Sequence, residues 1–550
     1  MADTGVLSAR LSRAPARKTG YARHRGFGLA IGLIALVATA PLLVAALSLF
    51  SDTGDIWQHL LRYVLPEAFA NTLLLVCGVA VIAAILGVSL AWFVAVCEFP
   101  GRSFFSFALL LPMAMPGYVL GFALAAIFEY TGPLQTGWRS LFGMHVGFPD
   151  VGAAGASILT LSLVLYPYVY LITRQGFKTQ GVRGIEVAQS CGLRPTKGFF
   201  AVSLPMARPW IVAGVSLVIM ECLADFGTVQ LFNYTTFTTA IYRAWYGLFS
   251  LQSALQLSLV LVLLVLGALM LEKRARGNSR FTATSHESLT RLRLGRHSRW
   301  AVTVYCSVIL LIAFVLPAAM ILKWSVSSFI VEFDQRYWSL AANSLMLATL
   351  AAVLVCAIAL LLAFAVRYSP GKINSGLARL ATLGYAIPGT VLAVGFFVPV
   401  AALSRWINAS GLFGPGTIIA LQSGLAVVLL AYLARFMAVA HGPIDSALLR
   451  IGPSVEDAAR GMGVGGLKLL HRVHLPILKP AIVTAMLLVF VDVMKELPIT
   501  LMTRPFGWDT LAVKVFQLTT EGQWERAALP ALAIVLAGLL PVALLNRRND

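Results

Sequence analysis

Charge is scarce in this sequence. Only 12% of its 550 residues are Asp, Glu, Lys or Arg, about half the share usual in a soluble protein, while 59% fall in the apolar set. A soluble globule is excluded. Cysteine forms no pattern: Cys77, Cys97, Cys191, Cys222, Cys306 and Cys356 include no C-x-x-C pair, so neither a disulfide framework nor a zinc site is indicated. The G-x-x-x-x-G-K-[ST] loop that cradles nucleotide phosphates is missing as well, so such a cradle must come from elsewhere. The formal charge of +19 belongs to no basic domain with interleaved aromatics; its lysines and arginines lie between apolar runs, which argues against nucleic acid as a partner.

Long apolar runs fill the chain. Segments near 27–50, 70–97, 104–128, 153–173, 210–232, 251–271, 300–323, 341–366, 377–403, 415–434, 481–501 and 527–545 are each long enough to cross a hydrocarbon core about 30 Å thick. The fold class is an all-α polytopic membrane protein with about twelve transmembrane helices. The first run resembles a signal peptide, with six basic residues before it and Ala38 to Ala40 as a cleavage-like step. Pro41 follows, and the run continues to Phe50, so it is read as a first spanning helix. With the N-terminus inside, 32 of the 42 Lys and Arg lie in inside segments and nine outside, which predicts both termini in the cytoplasm.

An internal repeat organises these spans. Glu186, Gly192, Leu204, Pro205 and Pro209 recur as Asp457, Gly463, Leu475, Pro476 and Pro480, all displaced by 271. Asn71-Thr72-Leu73 matches Asn343-Ser344-Leu345, and Pro116-Gly117 matches Pro388-Gly389. Six spans per copy is an even number, so both copies enter the membrane in one orientation, related by a pseudo-two-fold axis along the membrane normal. The predicted organisation is a basic tail over 1–26, a first membrane domain over 27–272, a linker over 273–299 and a second membrane domain over 300–550. In each repeated loop a short helix precedes a glycine able to adopt a left-handed conformation, and a Leu-Pro step then redirects the chain into the next span. Such an element suits docking to another protein.

This loop resembles the E-A-A-x-x-x-G motif of the membrane subunits of bacterial binding-protein-dependent ABC importers. The duplicated arrangement resembles their fused permeases in the ferric-iron uptake group. Supporting segments are Ala224-Asp225-Phe226-Gly227-Thr228-Val229 with Thr238-Thr239-Ala240, and Met494-Lys495-Glu496-Leu497-Pro498 with Arg504-Pro505-Phe506. The resemblance implies two copies of a cytoplasmic ATPase, carrying ATP and Mg, that receive loops centred on Glu186, Ala188, Gly192 and Pro205 and on Asp457, Ala458, Gly463 and Pro476. It also implies a periplasmic binding protein on the other side of an inner membrane, and a chain that is not itself an enzyme. Val187 and Asp457 depart from the motif. Pairing Arg174 with Arg435 further suggests about ten extra residues before the second loop.

Carboxylates within spans are costly, about 2.5–3.5 kcal/mol each near a helix centre. Glu221 and Asp225 are four apart, on one face of a helix, and Asp492 and Glu496 repeat them. Four such groups around an axis form an electronegative path suited to a hard cation such as Fe³⁺ in transient contact, tight ligation being incompatible with release. A structural role is the competing reading, with Pro498 ending a helix and Lys495 or an arginine as partner. His471 and His474 are read as loop residues and not metal ligands, Tyr166, Tyr168 and Tyr170 as interfacial packing, and Glu98 with Arg102 as a short solvated turn. Thiamine, phosphonate, sulfate and polyamines remain alternative substrates, and a major-facilitator-type secondary transporter shares the six-plus-six layout without needing the duplicated loops.

Overall fold

The computed structural model describes residues 25–50, 54–143, 151–190, 192, 195–276, 291–410 and 424–547. The first half contains α1 (Arg25–Leu47), α2 (Leu65–Val96), α3 (Gly117–Phe128), α4 (Gly152–Ser190), α5 (Arg208–Ala224) and α6 (Leu251–Arg276). The second contains α7 (Arg296–Glu332), α8 (Gln335–Tyr368), α9 (Gly389–Ser410), α10 (Ala426–Leu449), α11 (Leu475–Lys495) and α12 (Trp524–Arg547). Among the described residues ten helices are long and apolar enough to cross a membrane, and two bent pairs bring the total to the predicted twelve.

Helix faces sort by size as well as polarity, because a bilayer offers apolar side chains no reason to hide and close backbone packing must hold the helices together. On α1, Ile31, Ala35, Ala38 and Ala45 are buried while Leu29, Leu33, Leu36 and Leu43 face outward. On α2, Ala68, Thr72, Leu75, Val79, Ala83 and Gly87 form the inner stripe. A Cβ at Gly87 would stand 2.5 Å from that of Val169, so glycine there permits the contact of α2 with α4. Each half lends its first helix to the other. Pro41 of α1 packs on Gly395 of α9, whose added Cβ would lie 2.5 Å away. From α7, the Tyr305 hydroxyl meets Ser89 Oγ at 2.8 Å and Thr303 donates to the Pro100 carbonyl at 3.1 Å.

Several sequence expectations need correction. Predicted span 104–128 is not straight: Arg102–Ala114 and Gly117–Phe142 meet at 95° around Pro116. The carbonyls freed by that bend are taken up from α4, where Tyr166 donates to Leu109 O at 3.0 Å, Tyr170 to Ser106 O at 3.1 Å and Arg174 to Ser106 O at 2.9 Å. Tyr166 and Tyr170 are therefore fully buried braces and not interfacial residues. Pro205 and Pro476 do not turn the chain. Each follows a π turn, Phe199–Ser203 or Leu470–His474, whose wider spacing accommodates the ring and missing N–H; in the first half the 65° bend comes later, at Ala207. Glu98 is more than a solvated turn: Cys97–Glu98 pairs in parallel with Leu292–Arg293, and its carboxylate lies 3.5 Å from Arg102 and 3.7 Å from Arg291. The ten-residue insertion does not exist. At the constant displacement of 271 the counterpart of Arg435 is Val164, and the single helix α4 corresponds to α10 plus a separate helix, Pro453–Gly461, with a break at 450–452.

Candidate functional site

The predicted spans 210–232 and 481–501 both stop short. Helix α5 ends at Ala224, and Asp225 is extended (φ −67°, ψ 133°); α11 ends at Lys495, and Glu496 is extended (φ −70°, ψ 119°). Glu221 and Asp225 therefore do not share a helical face, and neither do Asp492 and Glu496, because a helix ends between the members of each pair. Beyond each break the chain folds back through two short helices, Gly227–Leu231 then Phe237–Tyr246, and Pro498–Thr503 then Leu511–Thr520.

Carboxylates start these returning helices. Asp225 Oδ1 accepts from the amides of Thr228 (3.1 Å) and Val229 (3.2 Å), and its Oδ2 accepts from the Thr228 hydroxyl at 2.9 Å. Glu496 Oε1 accepts from the Ile499 amide at 3.1 Å. A carboxylate at a helix start satisfies orphan amides and meets the positive end of the helix dipole. The repeated Pro-Gly steps pack against these starts: a Cβ on Gly117 would fall 2.4 Å from Thr228 Oγ1, and one on Gly389 2.8 Å from Glu496 Oε1. Asn71-Thr72 and Asn343-Ser344 hold the far ends. Asn71 Nδ2 donates to Thr235 O (2.9 Å) and Thr72 Oγ1 accepts from the Phe237 amide (3.3 Å), while Asn343 Nδ2 donates to Asp509 O (3.2 Å) and Ser344 Oγ accepts from the Leu511 amide (2.8 Å). The repeats were visible in the sequence as markers of duplication; their task of pinning a folded-back loop was not.

Between the halves lies a cavity of about 180 Å³ lined by all four carboxylates, Glu221, Asp225, Asp492 and Glu496, together with Tyr168, Tyr385, Arg435 and Lys495. Tyr385 donates to Glu221 Oε1 at 2.7 Å, and Lys495 donates to the Met113 carbonyl at 3.0 Å, so the second half reaches across to the first at two points. Arg435 Nε lies 3.4 Å from Glu496 Oε2, and its NH1 donates to Ile387 O at 3.0 Å. Topology counting assigns Arg435 to an inside loop; the structure places it in this cavity. Its counterpart is Val164, that of Lys495 is Ala224, and that of Tyr385 is Met113, so all three polar groups come from the second half alone. Among the described residues no three His, Cys, Asp or Glu side chains converge closely enough to hold a metal ion. The cavity offers a negative lining without a chelating cage.

The repeated loops share one backbone feature. Gly192 (φ +76°) and Gly463 (φ +78°) are both left-handed. After Pro453–Gly461, the Gly463 amide bonds to Arg460 O and the Val464 amide to Ala459 O, both at 2.9 Å, a Schellman termination that requires the glycine. Asp457 is exposed beside Arg460, 3.1 Å away. Glu186 and Ala188 lie on the last turns of α4, and their side chains, like Cys191, fall outside the described residues. His474 is fully buried against Phe364 and Tyr368, its Nε2 3.3 Å from Glu456 Oε1, so it is a core residue and not an exposed loop histidine.

Comparison with known proteins agrees with this duplicated architecture. A family model described as binding-protein-dependent transport system inner membrane component matches twice, over residues 83–271 and 357–549. The Fe(3+)-transport system permease protein FbpB 2 of Haemophilus influenzae is 28% identical over 89% of this chain and 91% of its own length. The sulfate transport system permease protein CysT of Escherichia coli is 27% identical over 37% of this chain and 74% of its own. The putative 2-aminoethylphosphonate transport system permease protein PhnV of Salmonella paratyphi A is 28% identical over 45% of this chain and 94% of its own. With both matches in tandem, the chain belongs to the family of inner-membrane components of binding-protein-dependent transport systems, as a fused pair of permease units.

Proposed function

We propose that this chain forms the transmembrane path of an ATP-driven importer for ferric iron. The observation that carries the substrate assignment is the cavity between the halves, where four carboxylates outnumber two cations and one of those cations is paired with Glu496. A low-dielectric site with excess negative charge favours a hard cation over an anion. The relative named for Fe(3+) also spans both units, whereas those named for sulfate and 2-aminoethylphosphonate match less than half of the chain. Glu221 and Asp492 are the carboxylates we assign to transient cargo contact, because Asp225 and Glu496 are engaged by backbone amides.

In this reading the loops around Glu186, Ala188, Gly192 and Pro205 and around Asp457, Ala458, Gly463 and Pro476 face the cytoplasm with both termini. Each receives one copy of an ATPase subunit that binds ATP and Mg, and a periplasmic binding protein delivers cargo at the opposite face. The test is uptake into proteoliposomes holding the complex, with ferric iron, sulfate, 2-aminoethylphosphonate, thiamine and a polyamine each supplied on a matching binding protein. ATP-dependent accumulation of iron is expected. Accumulation of an anion without iron would overturn the substrate assignment, and uptake that runs without ATP would overturn the importer class.

A further inference from the structure

The two docking loops are built differently. In the first half α4 runs unbroken to Ser190, so the docking residues are the end of a membrane-spanning helix. In the second half the helix breaks after Leu449 and restarts at Pro453, and its last carbonyls keep only short backbone bonds, from the Arg450 amide to Ala447 O at 3.2 Å and from the Ile451 amide to Leu448 O at 3.1 Å. Arg367, near the end of α8, fills that gap. Its NH1 donates to Leu448 O, its NH2 donates to Ile451 O at 2.7 Å, and its Nε lies 2.7 Å from Glu456 Oε1 on the docking helix. One guanidinium thus joins α8, α10 and Pro453–Gly461. Glu456 is 1% exposed, with Arg460 NH2 and His474 Nε2 each also 3.3 Å from its carboxylate. The planar fork suits this three-way junction in a way a lysine ammonium does not.

The first half carries different residues at these positions. The positions corresponding to Arg367, Glu456 and His474 are Ala95, Ile185 and Ser203. We propose that Arg367 is a positioning residue for energy coupling: through Glu456 it locks the second docking helix to α8 and α10, so that the two ATPase contacts are mechanically distinct. This rests on the reading above that both loops receive an ATPase. The first contact drives a continuous lever, α4. The second drives a separate helix that the Arg367 lock ties to α8 and α10, beside the apolar packing of Ala459 with Phe364 and Tyr368.

The full chain in nanodiscs tests the lock, and the reconstituted complex tests its role. In Glu456→Gln, and in the double variant Arg367→Gln with Glu456→Gln that removes both charges of the pair together, amide hydrogen exchange over 453–461 should rise at least about tenfold while 181–190 is unchanged. Arg367→Lys, which keeps the charge but not the fork, should lie between. In the complex, the same variants should retain ATPase binding and hydrolysis but lower the substrate moved per ATP several-fold, with Arg367→Lys again intermediate. Unchanged exchange at 453–461, or an equal rise in both loops, would overturn the lock. A raised exchange with unaltered transport per ATP would overturn the coupling role. If the unmodified chain bound no ATPase, the coupling role would fall with the reading beneath it, and the exchange data would still show whether the lock exists.

Discussion

Replacing Glu496 by Gln removes one charge from a buried pair and little else. Arg435 and Glu496 are 8% and 7% exposed and 3.4 Å apart. The amide retains an oxygen for the Ile499 N–H, now 3.1 Å from the carboxylate, so the start of the returning helix should survive. What is lost is the partner of a buried guanidinium, and removing one member of a buried ion pair costs about 3–5 kcal/mol. The pair is long and Arg435 keeps its 3.0 Å bond to Ile387 O, so the low end, about 3 kcal/mol, is expected. Adding Arg435→Met removes the stranded charge, and the double variant should recover about 1–2 kcal/mol relative to Glu496→Gln alone. Asp225→Asn, at the equivalent position of the first half, strands no cation and keeps its acceptor, so it should cost less than about 1 kcal/mol. Equilibrium unfolding of the purified chain in mixed micelles measures all three. Additive losses in the double variant, or equal losses for Asp225→Asn and Glu496→Gln, would refute the pairing.

Gly192→Val and Gly463→Val each force a β-branched residue into a left-handed turn; both should reach the membrane but lower ATPase co-purification and uptake, and normal values in the double variant would remove the docking assignment. Glu221→Gln and Asp492→Asn should reduce iron uptake with ATPase binding intact, whereas full transport with both changed would reject a carboxylate path. Tyr385→Phe deletes a bond between halves worth about 0.6–1.7 kcal/mol, so hydrolysis without substrate should rise about three- to seventeen-fold if that bond holds the resting conformation, and an unchanged basal rate would show that it does not. A reporter active only outside the membrane should be silent at Asp550 and active near Gly143, with the opposite pattern reversing the proposed orientation.

Hydropathy made the spans legible because chain length and apolarity alone determine what crosses a bilayer. The 271-residue displacement made the duplication legible, and with it the paired carboxylates. Helix breaks were not legible, since Asp225 and Glu496 sit in runs apolar enough to read as continuous helix. Their signal was present in part: Gly227 and Pro498 lie two residues beyond each carboxylate, where a helix start tolerates them. Arg435 was misplaced because charge counting treats any arginine beyond a span boundary as loop, and the boundary was set about fifteen residues early relative to Leu449. Glu456 and Arg367 escaped notice because they break the repeat, and a search for symmetry passes over what occurs once.

Two identical subunits must place every side chain twice. A homodimer of the first unit would surround its axis with four carboxylates and no cation among the lining residues; one of the second would balance four carboxylates with four cations. Neither reproduces the lining found here, in which Arg435 and Lys495 each appear once against four acidic groups. Joining the copies in one polypeptide releases the constraint that a rotation axis imposes on charge. The divergence of the two fused units is thus what lets a nearly symmetric scaffold carry an intermediate field, and the proposed passage of a cation rests on that intermediate value.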